Sequence, residues 1–592
     1  MHTKIKFTGE FEELRNKLKS LGGVWEKNQP GKKVLRINGG VLNWYESTGT
    51  LQIQGKNPGR ELLERSIPHL IYPEEYPEAS TGEESAEDES TSSANPNESM
   101  AEESIEKKYL YGKFYDGELI IGIVNAVGTE SKRVLEPLKD RLKGFGYQVK
   151  EIRVSKLLPS PNKEFNEYER IKHYMKKGDD LRKNSKNHAI LAAGACAAIK
   201  KERDKPSSKT AYIINSLKHP DEVSFLRKVY GNGFYLFGIH ADEKRRHNYL
   251  VNDKSLTQEQ ATELIKIDED EKIPHGQRTR DTFHLADFFV SLGKNDDYTK
   301  NSIQRFLELI FSNPFANPTF DEFAMFMAFN SSIRSSDLSR QVGAVITKNQ
   351  QIIATGANDT PKTGGGQYWA EIDQDTGKVK DIPGGKDYTR EEDSNKRAQL
   401  EIINEIIESL LSCSCITDTK QEEVKQVLLK SKITDLTEFG RVVHAEMEAL
   451  LSCAREGIST VGGTLYCTTF PCHNCAKHIV DAGISRVVYV EPYPKSRALD
   501  FHSEAIELKT NQDNPESDNR VIFEPFTGVG ARRFLDLFSM SLGSGTKLKR
   551  KDKDGRIIEW DKSTASHRTP MLPKSYIEIE NSASLIWEDQ IK

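Results

Sequence analysis

Cysteine is scarce in this chain. Seven residues among 592 are too few and too scattered for a disulfide scaffold, so free thiols in a reducing compartment are expected. Long hydrophobic runs are missing too. No stretch of about eighteen apolar residues occurs, which excludes an α-helical membrane span. The N-terminus, Met1 to Leu14, is amphipathic and charged and lacks the apolar core of a secretory signal, so the expected location is cytoplasmic. Charge of one sign is not in great excess either. A net charge of −5 with 36% apolar residues over this length describes several soluble domains.

What is present is led by one constellation. His444-Ala-Glu446 opens an apolar helical run, and Pro471-Cys472-His-Asn-Cys475 follows after a strand-like stretch. Two thiolates and one imidazole give a zinc ion three protein ligands and leave a fourth position for water. Glu446, two residues from the histidine, is placed to move protons at the water and at a ring nitrogen. Cys-x-x-Cys at a helix start lets both thiolates meet one metal, with helix-end N–H groups favouring their charge. A structural zinc site would close with a fourth protein ligand, and no residue sits at the spacing for one. The expected assignment is Zn2+ held by His444, Cys472 and Cys475, with Glu446 catalytic. The order resembles that of zinc-dependent nucleobase deaminases.

Along the chain, residues 1–72 read as a small α+β module: a helix from Phe11, then strands at Val34, Val41 and Thr50 with Gly-containing turns, then a short helix near Arg60 limited by Pro68. Basic residues outnumber acids there, the footprint of a nucleic-acid or partner surface or of an ordinary solvated one. The run Trp44 to Gly55 is similar to small TATA-binding-protein-like modules. Residues 73–107 turn to Glu, Ser, Thr, Asn and Pro and are expected to be a disordered acidic linker.

Residues 108–315 open with the buried-strand pattern Glu118 to Val124, a Gly-containing loop, a helix to about Gly144 and a second strand. That is the βαβ unit of a P-loop fold, but the phosphate loop is degenerate: Glu130 and Ser131 stand where glycine and lysine belong. Gly128, Thr129, Ser131 and Lys132 are its nucleotide-binding candidates, and the helix N-terminus is left as an anion site. The later order of motifs resembles small nucleotide kinases.

Residues 316–540 carry a helix around Phe323, a hairpin of Gln341 to Ile346 and Gln351 to Thr355, Asn358, a long insert at 360–440, and the zinc motif. Arg334-Ser335-Ser-Asp337 before Gln341-Val-Gly-Ala, with Asn358 after the second strand, resembles the deoxycytidylate deaminases. Leu338 stands where that family has proline. The resemblance implies that Asn358 binds the sugar or base and that Arg334 and Ser335 lie near phosphate. Asn358 followed by Asp359 is also good turn chemistry. Lys495 and Arg497 are pocket-rim candidates. Cys413 and Cys415 invite a second-zinc reading without a spaced partner. The tail, 541–592, is charged and expected to be irregular.

The expected fold class is therefore multidomain α/β: a P-loop kinase-like α/β domain plus a cytidine-deaminase-like α/β/α sandwich, with the extra N-terminal module. This combination resembles the bacterial anti-phage dCTP/dCMP deaminases. The resemblance implies conversion of dCTP or dCMP to the deoxyuridine nucleotide, pool depletion as antiviral defence, a homo-oligomer, and control by a phage-derived trigger or an inhibitory small RNA. Two rivals stand beside it: a polynucleotide cytidine deaminase, and a nucleotide-sensing regulatory protein.

Overall fold

The computed structural model describes residues 6–21, 23–26, 31–56, 59–71, 117–161, 165–203, 209–269, 275–293, 295–436, 438–492, 496–509, 520–571 and 573–591. The acidic stretch 73–107 lies outside the described residues. The chain divides into two compact units, 1–99 and 100–592.

In the first unit, β1 (Val24–Trp25), β2 (Lys32–Ile37), β3 (Gly40–Tyr45) and β4 (Thr50–Gly55) form an antiparallel meander in that order. Asn38 and Gly39 both take positive φ, the requirement of a two-residue hairpin turn between β2 and β3. Helices Phe11–Lys17 and Gly59–Ile71 bring Leu14, Leu63 and Ile67 onto Leu42 and Trp44. The second helix runs through Pro68 rather than stopping there. Several of the unit's basic residues are already paired: Lys33 with Glu46, Arg36 with Glu26, and Arg60 with Glu64.

The second unit holds two six-stranded sheets. In the first sheet, β5 (Leu119–Asn125), β6 (Gln148–Arg153), β7 (Thr210–Leu217), β8 (Phe234–His240) and β9 (Phe288–Ser291) lie parallel in the order β6-β7-β5-β8-β9. Runs such as Leu119 to Val124 are apolar without alternation because helices cover both faces. Helices Lys132–Gly144 and Asp296–Ile310 pack on one face, and Ile190–Glu202 and Pro220–Tyr230 on the other.

The second sheet begins with the antiparallel hairpin β10 (Gly343–Lys348) and β11 (Gln351–Ala357). The insert after it carries the ribbon β12 (Glu371–Ile372) and β13 (Val379–Lys380) and the helices Ser394–Ser412 and Gln421–Leu428. Then β14 (Thr464–Thr469), β15 (Arg486–Glu491), β16 (Ile506–Leu508) and β17 (Val521–Pro525) complete the order β11-β10-β14-β15-β17-β16, parallel from β14 onward. Ala344 and Ile346 point to helices Ala445–Glu456 and His473–Asp481, while Val345 points to helix Phe320–Ile333. This is an α/β/α sandwich.

The two sheets are joined. After β17 the chain crosses as β18 (Gly528–Val529) to pair antiparallel with β9, so residues 316–540 do not close on themselves. The C-terminal segment differs from its expected irregularity. Helix Pro573–Ile591 lies on helix Ile190–Glu202, with Tyr576, Ala583 and Trp587 in the core and Trp587 against Gly194. Those apolar positions recur at helical spacing, a signal hidden by the charged stretch that precedes them. Arg203 is clamped between the fully buried carboxylates of Glu118 and Glu580. No described helix is long and apolar enough to cross a membrane.

Candidate active site

His444 is the N-cap of helix Ala445–Glu456, and Cys472 is the N-cap of helix His473–Asp481. Both helices start at one edge of the second sheet, so residues 28 and 31 apart converge. His444 Nδ1 lies 3.4 Å from Cys472 Sγ and 3.3 Å from Cys475 Sγ. Bonds of 2.0–2.3 Å in a tetrahedron separate such donors by about 3.5 Å, so the three residues fit one zinc ion. Their chemistry fits as well. Hydrogen bonding from Cys475 and His444 holds the Cys472 thiol down at about 4, and the same contact raises His444 to about 9. Metal binding takes the deprotonated thiols and the neutral imidazole, so it releases protons.

Glu446 sits in the first turn of the first of these helices and is buried. Burial pushes its carboxyl above the usual carboxylate range. A cavity of about 220 Å³ opens over this group, with Glu446, His444 and Cys472 in its wall.

Of the substrate-side candidates, only Asn358 lines that cavity, and its carboxamide is committed to the backbone. Oδ1 accepts from Val342 N–H at 2.7 Å and Nδ2 donates to Arg340 O at 2.9 Å. Ser335 Oγ donates to Asn358 O at 2.6 Å, which fixes the same turn from below. The Arg334 guanidinium lies over the Trp369 ring, 4.0 Å from the centroid, and burial lowers its pKa. Ser335 and Arg334 lie behind the wall that Asn358 lines.

The residues that do face the cavity include Asp337, Arg340, Phe470 and, from the insert, Asp387, Asp393 and Asn395. Arg340 was passed over in the sequence because it precedes β10 without a motif. It bridges Thr469 at 3.2 Å and Glu491 at 2.9 Å. Asn395 Nδ2 donates to Leu436 O at 2.9 Å, while its buried Oδ1 has no partner among the described residues. Arg441 pins the insert by pairing with Asp387 at 2.8 Å.

Lys495 lies outside the described residues. Arg497 turns to Asp500 and the Phe501 ring. Cys413 and Cys415 are exposed with sulfurs 2.8 Å apart, and among the described residues no third ligand joins them.

Gly128, Thr129, Ser131 and Lys132 line a separate cavity of about 320 Å³ at the end of β5. Here the loop is filled from within. Val127 N–H donates to the Asp268 carboxylate at 2.8 Å, and the Lys218 ammonium holds the other Asp268 oxygen at 2.9 Å. Ser131 N–H is spent on Thr129 O at 2.7 Å, and Glu130 is paired with Arg245 and Arg133. A carboxylate of the protein thus holds one loop N–H before this helix start.

A family profile described as "Cytidine and deoxycytidylate deaminase zinc-binding region" matches residues 318–491. The chain is similar to the deoxycytidylate deaminase of enterobacteria phage T4, 32% identical over 171 residues, which is 29% of this chain and 77% of the phage protein. It is 26% identical over 293 residues to the deoxycytidylate deaminase of Saccharomyces cerevisiae, covering 48% of this chain and 76% of the yeast one. Among solved structures, a cyanophage S-TIM5 dCMP deaminase in complex with dCMP and dUMP aligns at 21% identity and a TM-score of 0.20. That alignment covers 36% of this chain and 98% of the cyanophage one.

Proposed function

Because the chain belongs to the deoxycytidylate deaminase family, a zinc-binding family of hydrolases that deaminate deoxycytidine nucleotides, we propose that it converts both dCMP and dCTP and thereby depletes dCTP as an anti-phage defence. The observation that carries the reading is the buried Glu446 carboxyl beside the His444–Cys472–Cys475 set at the wall of one cavity.

Zinc, when bound by those three residues, lowers the pKa of a coordinated water toward neutrality. Glu446 takes the water's proton, delivers it to the ring nitrogen next to C4, and assists the departing amine. Its burial favours the protonated form midway through that cycle. Phe470 offers the base an apolar wall, and the unpartnered Asn395 Oδ1 accepts from a sugar hydroxyl or the amino group. Asn358 positions the Arg340–Val342 segment through its two backbone bonds, and Arg340, paired with Glu491, is a cation at the cavity wall.

The first sheet, with its opening strand central in the order 2-3-1-4-5, supports reading residues 108–315 as a kinase-like domain kept for regulation or assembly. The filled loop supports the absence of phosphoryl transfer. A homo-oligomer, and release by a phage-derived trigger or from an inhibitory small RNA, complete the proposal. The test is product mass from purified, zinc-loaded protein given dCMP, dCTP, CTP, deoxycytidine or a cytosine-bearing single strand. Turnover of dCMP and dCTP is expected. Turnover of dCMP alone removes the pool-depletion reading, and turnover of the polymer alone replaces it with an editing enzyme.

A further inference from the structure

Helix Ser394–Ser412 of the insert ends in a turn that lays one thiol against another. Ser414, two residues past the helix, takes φ 59°, in the left-handed region. Cys415 N–H donates to Leu410 O at 2.9 Å and Ser414 N–H to Leu411 O at 2.9 Å. Those two bonds are the paired closure of a helix end, in which glycine is the usual left-handed residue. The reversal puts Cys413 just before Ser414 and Cys415 just after it, and it folds their sulfurs to within 2.8 Å of each other. A disulfide bond measures about 2.0 Å, so the pair closes with a shift of under about an ångström.

Their surroundings set these two thiols apart. Of the seven cysteines, only Cys413 and Cys415 are exposed. Cys196, Cys453 and Cys467 are buried, and Cys472 and Cys475 belong to the zinc set. Among the described residues no histidine or carboxylate joins Cys413 and Cys415 as a metal ligand. Oxidation is therefore the chemistry open to them. Hydrogen bonding from Cys415 holds the Cys413 thiol below its ordinary range, which suits an attacking sulfur with a resolving thiol beside it.

We propose that Cys413 and Cys415 form a reversible oxidation site, closing to an intrachain disulfide under a peroxide and reopening with small thiols. The Cys413 thiolate attacks one peroxide oxygen; the S–O bond forms, the O–O bond breaks, and the departing hydroxide takes up the Cys413 proton as water. The Cys415 sulfur then attacks the Cys413 sulfenic acid. The S–S bond forms, the S–O bond breaks, and the second hydroxide leaves as water with the Cys415 proton. Two thiols lose two electrons in all, and one peroxide is reduced to two waters. An exposed disulfide is among the readily reduced ones, so small thiols restore the pair. The site marks the far end of the helix whose first turn carries Asn395, and no part of it depends on the deaminase reading.

The test treats the zinc-loaded full chain with a small excess of hydrogen peroxide, alkylates the remaining thiols and maps the peptides by mass. The peptide holding Cys413 and Cys415 is expected to lose two hydrogens, to escape alkylation, and to regain both thiols with dithiothreitol. Cys196 and Cys467 should stay reduced. Cys415→Ser should leave a Cys413 sulfenic acid that dimedone traps. Ser414→Pro, whose ring fixes φ near about −65°, removes the left-handed turn and should slow closure at least tenfold. A pair that stays reduced, that passes to sulfinic acids on both sulfurs, or that links two chains instead would overturn the site. So would closure at an unchanged rate in the Ser414 variant.

Discussion

Asp268 and Val127 meet inside the loop that follows β5, the carboxylate accepting the Val127 N–H at 2.8 Å although 141 residues separate them. The Lys218 ammonium on the other oxygen neutralises this buried acid. A phosphate entering the loop would have to displace Asp268 and approach Glu130. Placing lysine at the degenerate position, Ser131→Lys, is therefore expected to create no efficient phosphotransferase. Transfer of label from ATP to deoxynucleosides checks this, and robust transfer would contradict the filled loop.

The C-terminal helix is held by a buried ion cluster. Arg203 reaches Glu118 at 2.7 Å and is also paired with Glu580, and both carboxylates are fully buried. Removing one acid leaves the guanidinium under-compensated, at about 3–5 kcal/mol for a buried pair. Glu580→Ala should lower the melting temperature of the second unit by several degrees in calorimetry. An unchanged midpoint would mean that the helix docks by its apolar face alone.

Asp179 gives the fold a pH signature. Burial raises its carboxyl from 3.8 to about 6, against the opposing pull of Arg182. The raised value means that its contribution to stability is fully present below the unfolded value of 3.8 and is lost as pH rises through about 6. Asp179→Asn removes that loss. The melting temperature of the variant minus that of the unaltered protein should rise between about pH 4 and pH 8. A flat difference would place Asp179 in water.

The proposed substrate cavity is lined by Asp337, Asp387 and Asp393 as well as by Arg340. A triphosphate is expected to enter as its magnesium complex, since Mg2+ is held by one or two carboxylates plus substrate phosphates. Turnover of dCTP should fall at least tenfold when magnesium is omitted, while that of dCMP should change little. Equal loss for both substrates would assign magnesium another role.

Asn358 sets apart scaffold from contact. Two of its hydrogen bonds hold the Arg340–Val342 segment, and losing them leaves buried backbone groups unpaired at about 1–3 kcal/mol each. Asn358→Ala should thus lower the melting temperature as well as kcat/KM. Lost activity at full stability would mean that the carboxamide turns to the substrate instead.

The zinc set was legible because its parts are local: His-x-Glu and Cys-x-x-Cys each mark a helix start, and the strand between them, Thr464–Thr469, is a short run rich in β-branched and aromatic residues. The β5–loop–helix–β6 order was legible for the same reason. Asp268, Arg340 and Asn395 were not, since their roles arise from partners far along the chain or from an insert with no repeating pattern. The stacking of Arg334 on Trp369 was not legible either, since Trp369 is supplied by the insert. The C-terminal helix was hidden by the charge density of the segment before it.

The central claim is that Glu446 moves protons for the hydrolysis of a deoxycytidine nucleotide at the His444–Cys472–Cys475 zinc site. The most direct measurement is ammonia release from dCMP by the unaltered protein and by Glu446→Ala, with the zinc content of both determined. The account predicts turnover in the first and a loss of at least a thousandfold in the second, with zinc at this site unchanged. Retained turnover in the variant would contradict it.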